Sequence, residues 1–316
     1  MESPTRPPLW KLLLAFAVIY LVWGSTFLAI RVGVREVPPL LLAAMRFLVA
    51  GSVLYAWTRL RGTPAPTRRE WVAASAMGAL VFLFDYGLVF WAEQRVPSGI
   101  TAVVLATIPV FIGLFEIAIL RTQRLTIRLG LALLVGVGGV VVLLGRSASF
   151  VEAPIDRAGA AALLVAAFSW SLATVLNRKV QLPRSKAMSA AAQMTSGGVQ
   201  LLLAATVAGE FSRFHFGVVS RNAWLALLYL ITAGSIVAFT AYLWLLHYES
   251  PTRVGTYAYV NPVVAVLLGH FLGAEPIGVR TVAGTALVLL SVISINTLPA
   301  AAKKNASVLR APAEDG

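Results

Sequence analysis

The stretch WGSTFLAIR at residues 23–31 returns as WSLATVLNR at residues 170–178, with a tryptophan at the start and an arginine at the end of each copy. A shift of 147 residues relates the two copies, and a shift of 153 residues relates later positions. These shifts pair Gly51 with Gly198, Trp91 with Trp244, and Pro109 with Pro262. The chain therefore consists of two related halves. Internal duplication of this kind is typical of membrane transporters whose binding site lies where the halves meet.

The composition indicates that the solvent of this chain is lipid. Apolar residues make up 59% of the 316 residues and charged residues only 12%, whereas soluble domains carry about 25% charged residues. The net charge of +13 suggests nucleic acid as an alternative partner. However, the basic residues lie between the apolar stretches and mostly on one side of them, as in membrane proteins. We therefore expect a lipid bilayer as partner and no nucleic acid.

Residue types that carry metal, redox or catalytic chemistry are sparse. The chain has no cysteine, which excludes disulfides and thiolate metal sites. Its three histidines, His215, His247 and His270, show no metal-ligand spacing. The sequence contains no phosphate-binding loop for ATP, no nucleophile motif, and no repeated filter loop of a channel. We expect no metal, no cofactor and no enzymatic activity.

Apolar runs of about 20 residues, the length that crosses a bilayer, occur ten times. They cover residues 12–31, 40–58, 72–91, 98–120, 128–145, 158–177, 187–208, 223–246, 254–273 and 278–297. Short linkers that contain proline or glycine separate several of them. The sequence therefore predicts an all-α integral membrane protein with ten transmembrane helices.

The distribution of basic residues predicts the orientation. Of the 26 lysines and arginines, 17 fall on one side of the spans and 8 on the other. The richer side faces the cytoplasm, so both termini are cytoplasmic. Each half has five spans, and this odd number makes the second half an inverted copy of the first. Two inverted five-helix repeats can open alternately to either side of the membrane.

These features divide the chain into five parts. They are a cytoplasmic N-terminus at 1–11, a first repeat with helices 1–5 at 12–145, a periplasmic linker at 146–157, a second repeat with helices 6–10 at 158–297, and a cytoplasmic tail at 298–316. The composition of the tail predicts disorder.

Three segments resemble a known family. They are VWGSTF at residues 22–27, the stretch from Pro97-Ser98-Gly99 to Pro109, and YAYVNPVVAVLLG at residues 257–269 followed by Glu275. Together they resemble the EamA family of the drug/metabolite transporter superfamily, and the resemblance covers roughly residues 10–298. The chain is similar to the bacterial inner-membrane exporters of that family.

The resemblance implies ten helices in two inverted EamA repeats and the export of small metabolites, including amino acids. It also implies a central cavity lined by helices 1, 3, 4, 6, 8 and 9, with helices 5 and 10 peripheral. The chain departs from the commonest family pattern at Asp85, where many members carry Asn or a small polar residue.

Asp85 is the candidate functional residue with the clearest physical rationale. A carboxylate inside a span costs several kcal/mol unless it is paired or wetted. Counted along their helices at 1.5 Å per residue, Asp85 and Arg46 both lie roughly 9 Å below the outer face. Two interpretations follow: an ion pair that holds helices 2 and 3 together, or a substrate or proton site at Asp85. The repeat places Gln193 and Ala238 at the equivalent positions. The charges of Arg46 and Asp85 therefore occur only in the first half, where they could bias an outer gate towards its closed state.

Further candidates are aromatic and polar side chains in the spans that the family places around the cavity. For substrate binding they are Trp23, Ser25, Thr26, Tyr86, Thr107, Trp170, Ser171, Tyr257 and Asn261, in addition to Asp85. Pro109 and Pro262 are candidate helix kinks, because a proline inside a helix removes a backbone hydrogen bond. Plain packing is the alternative for these aromatics and prolines. Glu116, near the cytoplasmic end of span 4, is expected to reach water.

Two transport functions fit these features. The first is a secondary exporter of small metabolites, amino acids or related compounds above all, that works by alternating access in the bacterial inner membrane. The alternative is a proton-coupled multidrug exporter of aromatic cations, with Asp85 as a shared site for the proton and the cation. The expected partners are a small-molecule substrate, the lipid bilayer and, as a candidate coupling ion, the proton. The expected assembly is a monomer or a weak dimer.

Overall fold

The computed structural model describes residues 7–95, 101, 104–105, 107–120, 126–144, 156–273 and 279–296. The long helices are α1 Leu9–Val34, α2 Pro39–Leu60, α3 Arg68–Ala92, α4 Ile108–Leu120, α5 Ile127–Leu144, α6 Arg157–Leu176, α7 Lys186–Val207, α8 Arg221–Tyr248, α9 Tyr257–Gly273 and α10 Val279–Asn296. Single turns at Glu210–Arg213, Phe216–Val218 and Pro251–Val254 connect some of them. No strand occurs among the described residues. Most of the expected linker at 146–157 and the whole tail at 298–316 lie outside the described residues.

Five of the helices, α1, α2, α3, α6 and α8, are long and apolar enough to cross a membrane. Shorter apolar helices cover Ile108–Leu120, Ile127–Gly139 and Val282–Ser291. On α1, Leu13 and Leu21 are each 59% exposed, as expected of side chains that contact lipid rather than water. These findings establish an all-helical integral membrane protein.

Side-chain caps mark where several helices begin. At the start of α3, the Thr67 hydroxyl accepts a bond from the backbone of Glu70, whose carboxylate accepts from the backbone of Thr67. Asp156, Ser185 and Ser220 cap α6, α7 and α8 in the simpler way. Such caps satisfy backbone N–H groups that lack a partner within the helix. Short polar motifs therefore mark where these helices begin.

The two halves meet where α2 crosses α7, and their contact is the most extensive between any two helices described. A Cβ atom on Gly51 of α2 would lie 2.7 Å from the backbone nitrogen of Thr195. A Cβ atom on Gly198 of α7 would lie 2.8 Å from the backbone nitrogen of Leu48. The repeat equates these two glycines. Because neither has a side chain, the two backbones approach closely at equivalent points of both halves.

The third helix of each half contains a π-helical segment. These segments are Ala79–Tyr86 in α3 and Leu230–Val237 in α8. A π-helical stretch rotates the side chains that follow it relative to an unbroken α-helix, and such stretches are frequent at functional sites. Asp85 lies in the first segment and Ser235 in the second. The helices α5 and α10 instead pack against each other, and α5 forms a smaller cluster with Tyr259 and its neighbours on α9.

Candidate functional site

The tryptophans that open the repeated stretches contact each other at the centre of the molecule. The rings of Trp23 on α1 and Trp170 on α6 are 5.4 Å apart at an angle of 83°. Tyr257 lies 4.8 Å from Trp23, and Tyr242 lies 5.2 Å from both tryptophans. Tyr86 completes the group at 5.8 Å from Trp170. We refer to these five residues as the aromatic cluster. Edge-to-face arrangements of this kind are favourable between aromatic rings.

A cavity of about 60 Å³ adjoins the aromatic cluster. Its lining comes from both halves and consists of Trp23, Thr26, Phe27, Ile30, Asp85, Tyr86, Val89, Leu105, Ile108, Trp170, Tyr257 and Asn261. Seven of the ten substrate-binding candidates are in this set. The volume corresponds to about two water molecules at the density of liquid water. In this conformation the cavity is therefore small.

Asp85 faces this cavity from α3 and is only 5% exposed. The structure records no ion pair between Asp85 and Arg46, although both residues are described. The expected link between helices 2 and 3 is therefore not formed. The residue count along each helix predicted equal depth, but the direction of each side chain depends on how its helix is rotated in the bundle. Asp85 is left in an aromatic environment.

Arg46 extends from α2 to the opposite half. Its Nε donates to the Ser235 hydroxyl at 2.8 Å, and that hydroxyl in turn donates to the carbonyl of Leu230. The guanidinium carbon lies 4.7 Å from the ring centre of Phe47 and 5.0 Å from that of Tyr86. The side chain is fully buried and lies close to the Tyr86 hydroxyl, but its Nη atoms make no well-aligned hydrogen bond with a described residue. Ring faces therefore supply much of the compensation for this charge.

The polar groups of the aromatic cluster differ in how well they are satisfied. The indole N–H of Trp23 donates to the carbonyl of Gly234 at 3.0 Å. The indole N–H of Trp170 lies close to the hydroxyls of Tyr242 and Tyr257, but it makes no well-aligned hydrogen bond with a described residue, and neither does the Tyr257 hydroxyl. The side-chain amide of Asn261, oriented to match its neighbours, donates to the carbonyls of Tyr20 and Tyr257. Buried polar groups without a well-aligned partner are rare, so the polar groups of Trp170 and Tyr257 beside the cavity are candidates for ligand contact.

The remaining three substrate-binding candidates lie apart from this cavity. The Ser25 hydroxyl bonds to the Val22 carbonyl and the Tyr229 hydroxyl, beside a second cavity of about 610 Å³. The Thr107 hydroxyl donates to the carbonyl of Val104, and the Ser171 hydroxyl donates to the carbonyls of Ala167 on α6 and Ile108 on α4. Hydroxyls whose proton is bound by a backbone carbonyl in this way have a local structural use.

The two candidate kink prolines occupy different positions. Pro109 lies in the first turn of α4, whereas Pro262 lies inside α9. A proline in the first turn leaves no hydrogen bond unmade. Pro262 follows Asn261, which lines the cavity. In the second half, the helix that contains an internal proline therefore lies next to the site.

Tyr242 is the functional candidate that sequence reasoning missed. It is 1% exposed, contacts three members of the aromatic cluster, and bonds to the Thr174 hydroxyl. In the sequence it lies within the apolar run of the eighth span among other large residues. Its polar hydroxyl inside that run was the available signal, because a buried tyrosine usually requires a partner.

Carboxylates link the two halves at the end of the bundle where α1 ends and α2 begins, which we name the Glu36 end. The Glu36 carboxylate accepts bonds from the backbone and hydroxyl of Ser220, the residue that caps α8. These bonds lower the pKa of Glu36, and the backbone bond is the larger cause. The buried Glu210 carboxylate accepts from the backbone of Leu41 in the first turn of α2 at 2.7 Å. Each half therefore satisfies a helix start of the other.

One contact between the halves lies at the opposite end, which we name the His247 end. Glu116 at the C-terminal part of α4 accepts bonds from the backbone and the hydroxyl of Thr252, at 3.1 and 2.6 Å. Glu116 is 2% exposed, so the expectation that it reaches water is wrong. Its carboxylate instead caps the turn at Pro251–Val254. Contacts between the halves thus lie at both ends of the bundle.

Comparison with known proteins now identifies the family. The model of the EamA-like transporter family matches residues 9–145 and again residues 157–297. The chain belongs to the EamA-like transporter family. It is 39% identical over 263 residues to the uncharacterized inner membrane transporter YedA of Escherichia coli strain K12, and the match covers 83% of this chain and 82% of that protein. This EamA-like chain is therefore a multi-pass transporter of the inner membrane.

More distant relatives and a solved structure agree with this assignment. The chain is 27% identical over 282 residues to the protein PecM of Dickeya dadantii, and the match covers 87% of this chain and 90% of that protein. A protein crystal structure superimposes with a TM-score of 0.75 at 23% identity, and the match covers 91% of this chain and 98% of that one. This structural likeness supports the fold of the EamA-like chain.

Proposed function

We propose that this transporter exports a small, partly apolar metabolite that carries an amino group, with amino acids or related compounds as the substrate class. The observation that carries the proposal is the convergence of Asp85 and the aromatic cluster on one buried cavity between the halves. The Asp85 carboxylate would bind the ammonium group. The ring faces would contact the apolar part of the substrate, and the indole N–H of Trp170, which makes no well-aligned hydrogen bond with a described residue, would donate to its carboxylate.

The proposed architecture has ten membrane-spanning helices in two inverted repeats, at 12–145 and 158–297. The distribution of basic residues supports cytoplasmic termini, which puts the Glu36 end at the periplasmic face and the His247 end at the cytoplasmic face. The close crossing of α2 and α7 at Gly51 and Gly198 supports an approximate two-fold relation between the repeats. The tail at 298–316 would be disordered, and the protein would act as a monomer or a weak dimer.

Transport would proceed by alternating access. A cavity of about 60 Å³ is well below the roughly 300 Å³ of a typical ligand site, so a substrate requires the halves to separate. Opening to the periplasm would break the bonds of Glu36 and Glu210 to the opposite half. Opening to the cytoplasm would break the Glu116–Thr252 contact. Asp85 would exchange its substrate for a proton, which would couple export to the proton gradient.

One observation favours the second function, export of aromatic cations. Asp85 has no cationic partner among the described residues, and tryptophan and tyrosine rings surround the same cavity. A carboxylate inside an aromatic site is suited to a flat organic cation. Both functions assign Asp85 the same position and differ in whether the substrate must also carry a carboxylate.

Uptake into proteoliposomes distinguishes the two functions. Labelled amino acids and one cationic dye are offered separately, with and without a pH gradient. Saturable amino-acid uptake that is lost in Asp85→Asn supports the metabolite exporter. Dye transport without amino-acid uptake establishes the cation exporter instead. Phe168→Leu on α6 is the matched control, because Phe168 is exposed and lies outside the cavity. If neither substrate class enters, the proposed substrates are wrong.

A further inference from the structure

A polar cavity of about 280 Å³ lies at the His247 end of the second half. Three helix ends bound it: the C-terminal end of α6, the start of α7 and the C-terminal end of α8. They contribute Arg178, Lys186 and His247, together with the neutral polar side chains Asn177 and Ser189. This cavity is separate from the one beside the aromatic cluster, and the proposed transport function does not use it.

The basic groups of this cavity have no acidic partner in the part of the chain that the structure describes. Lys186 and Arg178 both act electrostatically on His247, so the three side chains are close together. None of them forms an ion pair with a described residue. Like charges that share a small space repel one another, and a bound anion would relieve that repulsion.

The equivalent position in the first half has a carboxylate. The repeat equates Arg178 with Arg31 and Leu246 with Glu93. Arg31 acts electrostatically on Glu93, whose pKa burial raises to about 8 while the arginine opposes that rise. In the second half Leu246 lines the cavity instead. The second half has therefore kept the arginine without its carboxylate.

The second half has also gained two basic residues at this place. The same shifts equate Lys186 with Pro39 and His247 with Gln94. The second half has therefore lost the negative group of the first half and gained a lysine and a histidine in its place.

Backbone and hydroxyl donors strengthen the preference for an anion. Helix α7 begins at Lys186, and the start of a helix carries partial positive charge. The Ser189 hydroxyl accepts a bond from Gln193 at 3.1 Å and donates none to a described residue, so it can donate to a ligand. Charged and neutral donors from separate helices thus surround one space, as phosphate groups require.

We propose that this cavity binds a phosphate group, held by Arg178, Lys186, His247 and Ser189. The phosphate would belong either to the headgroup of an anionic lipid or to a free phosphorylated solute, since both present the same oxygens to the site.

The test measures binding to purified full-length protein in neutral detergent at low salt. One arm measures equilibrium binding of radiolabelled inorganic phosphate. The other arm measures, by native mass spectrometry, retention of phosphatidylglycerol compared with phosphatidylcholine. The variant is Arg178→Gln combined with Lys186→Gln. The control, Lys179→Gln combined with Arg184→Gln, removes the same charge from exposed positions of the same loop that do not line the cavity.

We expect the first variant to weaken binding by about tenfold or more, the size of a lost charge-assisted hydrogen bond, and the control to change it less than twofold. Binding in the phosphate arm identifies a soluble ligand, and selective retention of phosphatidylglycerol alone identifies a lipid headgroup. Absence of binding in both arms would overturn the proposal, as would equal weakening in variant and control. The basic residues would then serve only to offset the partial negative charge at the ends of α6 and α8. His247→Gln, a single change at an exposed residue, repeats the test with little risk to folding.

Discussion

Trp23 and Trp170 occupy equivalent positions in the two halves and contact each other, yet their indole groups are in different situations. Trp23 donates to a carbonyl of α8, while Trp170 lies close to the hydroxyls of Tyr242 and Tyr257 without a well-aligned hydrogen bond to a described residue. The two halves also differ in the charged residues near these tryptophans. The first half contributes Arg46 and Asp85 near the centre, where the repeat places Gln193 and Ala238 in the second half. Duplication thus produced a symmetric framework, and substitution made its centre asymmetric.

The largest effect is expected from removing the Asp85 charge, which only the first half carries. Asp85→Asn is expected to lower transport by about 100-fold or more, because a buried charged partner of the substrate is lost. The measurement is the initial rate of uptake into proteoliposomes. Ser235→Ala in the π segment of α8 is the comparison variant, since Ser235 contacts Arg46 and does not line the cavity. Full activity of Asp85→Asn would show that the asymmetry has no role in binding.

The packing between the two halves is tested where α2 and α7 approach each other most closely. Gly51→Ala and Gly198→Ala are each expected to cost about 1–3 kcal/mol of stability, because the added Cβ atom meets backbone of the other helix. Thermal unfolding in detergent measures the effect. Gly138→Ala in α5 has open space around it and is expected to be neutral or slightly stabilising. A loss confined to one of the two interface glycines would argue against equivalent packing.

The tryptophan pair itself provides a finer test. Trp23→Phe is expected to cost about 1 kcal/mol of stability through the lost bond to Gly234. Trp170→Phe loses a similar amount of ring packing but no well-aligned hydrogen bond, so it is expected to cost about 1 kcal/mol less than Trp23→Phe, while substrate affinity falls about tenfold. Unfolding and binding are measured on both variants. The interpretation fails if Trp170→Phe destabilises the protein as much as Trp23→Phe.

The smallest effect is expected at the Glu36 end. The bonds to Ser220 hold the pKa of Glu36 below its ordinary value of 4.5. The stabilising contribution of the carboxylate is therefore present above that value and is lost as the pH falls through the lowered pKa. Unfolding midpoints between pH 3 and 6 are compared in the parent and in Glu36→Gln. The variant should lose part of the acid dependence, and an unchanged profile would remove Glu36 from the contacts that close this end.

Sequence patterns predicted much of the fold because membrane helices depend on local composition. Apart from α4, whose described part begins at Ile108, the helices lie within four residues of the ends expected from the apolar runs. The aromatic pair Trp23 and Trp170 was also found from the repeat alone. The missing Arg46–Asp85 ion pair shows the limit of this approach. Depth along a helix follows from counting residues, but the partner of a side chain depends on helix rotation and crossing.

The sequence by itself determined the membrane class, the duplication and the family, because hydrophobicity, internal repetition and motif spacing are properties of the chain alone. Tertiary structure alone decided which candidates share the cavity, why Ser25, Thr107 and Ser171 do not, and that Tyr242 belongs to the aromatic cluster. It also decided that Glu36, Glu116 and Glu210 link the halves. The physical reason is that these contacts join residues far apart in the chain, and close packing between helices selects among partners that local patterns leave equivalent.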